Sequence, residues 1–320
     1  HSLSGVDIVG SGRAEVTGGT VSSDGAVAIG PMTALTLAGG TLAGSGPLTV
    51  DGAFAWNAGP ITGSGALTVN GSLTLDSGSS KTMTTRTLLN NGAGVWKGGG
   101  VVNLAGGAVL RNGGGATLDI QFDSGLGLSG MPLGQLFDNQ GTLIKSGGAM
   151  TTAVDVPTTN SGVVDIRAGT LRFNQTTYLQ TAGATILNGG NLSALGGSGA
   201  SIQGGVIRGS GTITGNLSNA GTLAPGLSPG RLVITGNYSQ TGVFAVEIGG
   251  LTAQAQFDQL RVNGSATLGG VLDVDLIDGF VPAAGNSFLV LDGSTSGSFA
   301  GTSLPPLPPG LSWQVTIGSV

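Results

Sequence analysis

Internal repetition constrains this chain more than any other feature. Gly44-Ser45-Gly46-Pro47-Leu48-Thr49-Val50 returns as Gly63-Ser64-Gly65-Ala66-Leu67-Thr68-Val69, an offset of 63 − 44 = 19 residues, and Gly209-Ser210-Gly211-Thr212-Ile213-Thr214 is a third copy. A Gly-Thr-Leu phrase recurs at Gly40, Gly141, Gly169 and Gly221, with the variant Gly190-Asn191-Leu192. Such self-similarity marks an array in which each repeat buries its apolar side only against its neighbours. Stretches such as Leu35-Thr36-Leu37 and Leu73-Thr74-Leu75 alternate, so aliphatic side chains fall on one strand face and threonines on the other.

Turns separate these strands. Asn70-Gly71, Asn91-Gly92, Asn112-Gly113, Asn188-Gly189 and Asn263-Gly264 pair residues that tolerate positive φ. Asn-Gly between alternating segments also suits antiparallel hairpins. Rungs of roughly 15 to 25 residues with two or three short strands each favour stacked parallel coils instead. The expected fold is therefore all-β, a parallel β-helix (β-solenoid) over residues 1–223 with a C-terminal capping section over 224–320. The period loosens at Ser124–Gly134, where a lateral loop or short helix is expected. Pro305-Pro306-Leu307-Pro308-Pro309 breaks the ladder, and a last strand is expected at Trp313–Ile317.

Composition narrows the function. Only 8% of residues are charged, the net charge is −5, and 64 of 320 residues are glycine, so a phosphate-binding surface is not expected. The chain has no cysteine, which rules out disulfides and thiolate metal sites. No apolar run reaches the ~18 residues of a membrane span and no leader-like segment stands at the start, so the chain reads as mature and water-soluble.

The segment Phe54–Asp119 resembles a repeat of very large secreted bacterial proteins, through Phe54-Ala55-Trp56-Asn57-Ala58-Gly59, Arg86-Thr87-Leu88, Trp96-Lys97-Gly98-Gly99 and Gly115-Ala116-Thr117-Leu118-Asp119. The second half resembles the stem end of autotransporter-like and filamentous-haemagglutinin-like passengers. Gln180–Thr185, Gly221–Gly230 with its Pro225-Gly226-Leu227-Ser228-Pro229-Gly230 phrase, Gly236–Thr241 and Phe257–Leu260 carry that likeness. The resemblance implies a right-handed parallel β-helix, secretion and cell-surface roles such as adhesion, and it brings no catalytic residues.

Candidate chemistry is sparse. His1 is the sole histidine, so neither a His-dependent triad nor a multi-histidine metal site is available. Asp273, Asp275 and Asp278 form the tightest acidic group and are the one weak calcium candidate, with Asp273 and Asp275 on one strand face. Glu15, Asp119, Glu247 and Asp258 are scattered, which argues against paired carboxylates for glycoside hydrolysis. Phe54, Trp56, Trp96 and Tyr178 could stack on sugars, but burial is the expectation for large rings in a chain with so few. Thr82 with Thr84, and Thr212 with Thr214, read as ordinary solvent-facing strand threonines rather than an ice-binding array. Six Asn-x-Ser/Thr triplets, beginning at Asn70, Asn174 and Asn191, read as turn chemistry. No cofactor, catalytic or resident metal site is expected.

The sequence thus points to a secreted, non-catalytic surface or matrix protein of adhesin or stalk type. End-to-end filament assembly through Leu3, Val6 and Ile8 at one edge and Trp313, Val315 and Ile317 at the other is the alternative, with a polysaccharide-active enzyme a distant third. The expected partners are a second copy of the chain and a cell-surface or matrix polysaccharide.

Overall fold

A computed structural model describes residues 1–76, 78–174 and 177–318. They hold short β-strands and no helix, and the chain forms two compact units, residues 1–176 and 177–320. Within each unit every strand-to-strand pairing is parallel, apart from single-residue antiparallel bridges at Gly209–Gly226 and Ile248–Phe257. Each unit is thus a β-solenoid rather than a set of hairpins, despite the Asn-Gly pairs.

In the first unit most strands pair with the third strand after them, so a coil has three sides; in one coil the third side is reduced to a single bridge at Ile61, and Leu48–Val50 pairs with Leu67–Val69 and Ala53–Ala58 with Ser72–Leu75. Leu67–Val69 pairs with Thr87–Asn90, Ser72–Leu75 with Ala93–Trp96, and Lys81–Thr84 with Val102–Ala105. The alternating pattern sets which residues enter the coil. Val27, Leu48, Leu67, Leu88, Leu110 and Phe137 stack in register as one buried column. Phe54, Trp56 and Trp96 are fully enclosed, and Trp56 Nε1 donates to the Gly59 carbonyl at 2.8 Å. The coil length is not fixed: Leu67 lies 67 − 48 = 19 residues after its partner, whereas Phe137 lies 137 − 110 = 27 after its own. The extra residues leave the stack as loops. In the irregular stretch, Gly125–Ser129 stays a strand and only the following loop, with exposed Met131 and Leu133, bulges out; no helix forms there.

Glycine serves close approach at most corners rather than positive φ. A Cβ on Gly71 would lie 2.0 Å from the Gly52 carbonyl oxygen, and one on Gly92 would lie 1.7 Å from that of Gly71. The expectation of left-handed Asn-Gly turns therefore needs correction. Gly189 is at φ 99°, but Asn188 is not left-handed, and neither are Gly71, Gly92, Gly113 and Gly264. The asparagines do something else. Asn90, Asn112, Asn139 and Asn160 are buried one above another, and each of the first three donates its Nδ2 to the next Oδ1 at 2.9, 2.9 and 2.7 Å. They continue inward the column that begins with Ile29, Val50 and Val69.

The second unit repeats the scheme. Ala200, Leu217, Tyr238 and Ala266 stack in one column, and Ile207, Leu223, Phe244 and Leu272 in another. After Gly301–Ser303 no strand forms among the described residues. The strand expected at Trp313–Ile317 is absent, because the Pro305–Pro309 segment cannot donate to a ladder and turns the chain out of it. Trp313 packs inward instead. Its indole N–H donates to the Pro305 carbonyl at 2.9 Å, and its ring lies 6.3 Å from Phe288, which also contacts Phe257 and Phe280 edge-on. Phe299 stacks on Phe244 at 6.2 Å, so aromatic rings rather than a paired strand close this end.

Candidate functional site

The acidic group does not assemble. Asp273 and Asp275 share the outward face of Val271–Leu276, between buried Leu272 and Val274, and Glu247 pairs in register with Asp275. Asp278 sits beyond the strand in a left-handed turn at φ 54°. Among the described residues no three Asp, Glu, His or Cys side chains come together as a cation would require. Tyr178, expected in the core, is fully buried, with its hydroxyl 2.7 Å from Thr185 Oγ1. Of the Asn-x-Ser/Thr triplets, the one at Asn174 runs into Gln175 and Thr176, which lie outside the described residues.

The expected assembly residues separate into two kinds. Leu3 and Ile8 line an apolar cavity of about 230 Å³ at the mouth of the first coils, together with Val16, Val27, Ile29 and Leu35. Val6 lies half-buried beside them in Val6–Ile8. Val315 and Ile317 are exposed on irregular chain, and Trp313 is occupied by its own unit.

Several titratable groups are built into the frame. Arg86 is fully buried and donates to the Thr62 carbonyl at 3.1 Å and to Ser23 Oγ at 3.0 Å; burial pulls its pKa down. Lys145, also enclosed, meets Asp123 at 3.0 Å and the Gly147 carbonyl at 2.6 Å. Asp258 accepts the Gly230 and Glu247 backbone N–H groups at 2.8 and 3.0 Å, tying the Pro225–Gly230 turn to two neighbouring strands. Burial, aided by nearby Glu247, raises its pKa to about 6 against those two hydrogen bonds. Sequence reasoning did not find these groups, since a lone Arg, Lys or Asp in a Gly-rich repeat carries no spacing signal.

An open polar groove of about 290 Å³ lies on one sheet face of the second unit. Two columns of outward side chains form its floor. Ser218, Ser239 and Thr267 stand in register, flanked in the same column by Ser201 before and Ser296 after. Asn216, Asn237 and Ser265 line the groove two residues earlier on the same chain segments, with Ser198 at its margin. The Asn-x-Ser triplets at Asn216 and Asn237 run from the residue before a strand into it, and those at Asn191 and Asn263 lie within Asn191–Ala194 and Gln259–Leu268, so these four are not turn chemistry alone. Asn216 Oδ1 accepts the Asn237 N–H at 2.9 Å and Asn237 Oδ1 accepts the Ser265 N–H at 3.0 Å, which locks the amides side by side. None of the lining side chains carries a charge.

Set against family models, curated proteins and solved structures, the chain matches none of them.

Proposed function

We propose that this is a non-catalytic, secreted surface or matrix protein of adhesin or stalk type, in the manner of the passengers its repeats resemble. One observation carries the reading: the titratable groups that are buried serve the coils, and the acids left on the outside do not face the open groove. Arg86, Lys145 with Asp123, and Asp258 each hold backbone or a neighbouring side chain, and the open groove contains no charged side chain. Catalysis of the general acid–base kind needs a positioned proton donor or acceptor within reach of substrate. The extracellular setting rests on the passengers that the repeats resemble, and the Ser, Thr, Asn and Gly surface with so few charges is in keeping with it.

End-to-end filament growth is the weaker reading. The segment expected to supply the donor strand, Trp313–Ile317, is not a strand.

The test is prolonged incubation of the purified protein with neutral and acidic polysaccharides, followed by reducing ends and by the absorbance of unsaturated sugar products. Neither signal should exceed that of the polysaccharide alone. Turnover that disappears on changing a single carboxylate, such as Glu247→Gln or Asp273→Asn, would overturn the proposal.

A further inference from the structure

We infer that the groove on the second unit is a binding site for an extended neutral glycan chain lying along the stack, an inference that deepens the adhesin side of the reading above.

Register comes first. Parallel strands stack about 4.8 Å apart, so after Leu179 the column Ser201, Ser218, Ser239, Thr267 and Ser296 presents a hydroxyl at five successive coils, with the Asn216, Asn237 and Ser265 column beside it. A linear ligand with a regular repeat can meet such a ladder at several coils at once. The comparable outward column of the first unit is Asp7, Ala28, Thr49, Thr68, Leu89, Arg111 and Asp138, which is chemically mixed. A uniform ladder is therefore not a by-product of coiling.

Donor and acceptor capacity comes second. The carbonyl oxygens of Asn216 and Asn237 already accept the backbone of the next coil, so their amide N–H₂ groups remain as donors. Among the described residues no hydrogen bond engages the hydroxyls of Ser218, Ser239 or Ser265, each of which can donate and accept. Fixed donors beside adaptable hydroxyls match a polymer that is itself covered in hydroxyls.

Other occupants fit less well. The groove has no Lys or Arg for phosphates or acidic sugars. It lacks the exposed aromatic or Arg anchors that dominate protein–protein interfaces. A peptide adding itself as a strand needs a sheet edge, whereas this is a sheet face whose backbone is already paired.

The experiment is native electrophoresis of the full chain through gels containing dissolved hydroxyethylcellulose or a neutral mannan, with dextran as a third matrix. At least one should retard the protein. The Ser239→Glu/Thr267→Glu variant should lose at least tenfold in the retardation constant, and so should Ser218→Ala/Ser239→Ala/Thr267→Val, which removes the hydroxyls without adding charge. Thr68→Glu on the first unit should behave as the parent, and circular dichroism should be the same for all. Free migration of the parent in all three gels overturns the glycan site yet leaves the stalk reading in place. Retardation that neither groove variant changes also overturns it, as does thermal hysteresis of ice growth without retardation. Polysaccharide cleavage, by contrast, would sink the non-catalytic reading.

Discussion

At the residue scale, two small side chains are used in ways their turn statistics do not announce. Glycine is needed where backbones of successive coils nearly touch. At Gly63 both demands meet: φ is 93°, and a Cβ would lie 2.1 Å from the Gly44 carbonyl oxygen. Two residues on, close approach acts alone: a Cβ on Gly65 would lie 2.0 Å from the Gly46 oxygen. This is why the Gly-Ser-Gly phrase repeats with the coil. Gly63→Ala should therefore lower stability by about 2–4 kcal/mol, whereas exposed Ser64→Ala should stay within about 0.5 kcal/mol. Denaturant melts of the two variants check this, and equal midpoints would contradict it. Asparagine is selected for a different reason. Buried at Asn90, Asn112, Asn139 and Asn160, the amide can donate up the stack and accept from below, so a chain of coils satisfies each polar group that burial would otherwise leave unpaired. Read along the sequence, Asn112-Gly113 looks the same whether it ladders or turns. Only the register between coils, which a single coil does not encode, separates the two.

At the element scale, the Pro225–Gly230 turn depends on one carboxylate. Asp258 is buried and holds the Gly230 and Glu247 N–H groups. Its folded-state pKa of about 6 lies above the ordinary 3.8, so between those values the folded form keeps a proton that the unfolded chain has released. Such a group favours folding at low pH, and that contribution is lost as pH rises through about 6. The melting temperature of the second unit should accordingly rise on acidification from neutral pH into that window. Asp258→Asn should melt lower at every pH, because its amide loses one N–H acceptor, and should show a flatter slope between 3.8 and 6. An identical slope in the variant would show that other groups set the pH response. The last segment teaches the complementary lesson. Trp313-Gln314-Val315-Thr316-Ile317 alternates as a strand should, yet alternation only says which side chains want burial. With the proline segment before it, the chain packs a half-buried Trp313 against Phe288 and leaves Val315 and Ile317 outside.

At the scale of the whole molecule, repetition and alternation were enough to read an all-β stack of parallel coils and the burial of Phe54, Trp56, Trp96 and Tyr178. They could not supply the groove. Its residues come from coils 21 and 28 residues apart, 238 − 217 and 266 − 238, so no fixed spacing marks Ser218, Ser239 and Thr267 as neighbours. Everything proposed here rests on that stacking, and the absence of cysteine makes it directly measurable. Thr49 and Thr68 are register partners on adjacent coils. A hairpin turning at Asn70-Gly71 would instead bring Thr68 opposite Leu73. Adjacent strands hold Cα atoms within the range a disulfide spans. Peptide mapping after mild oxidation should therefore find a 49–68 crosslink in Thr49→Cys/Thr68→Cys and none within the chain in Thr68→Cys/Leu73→Cys; the reverse outcome would contradict the coil architecture and the glycan groove together.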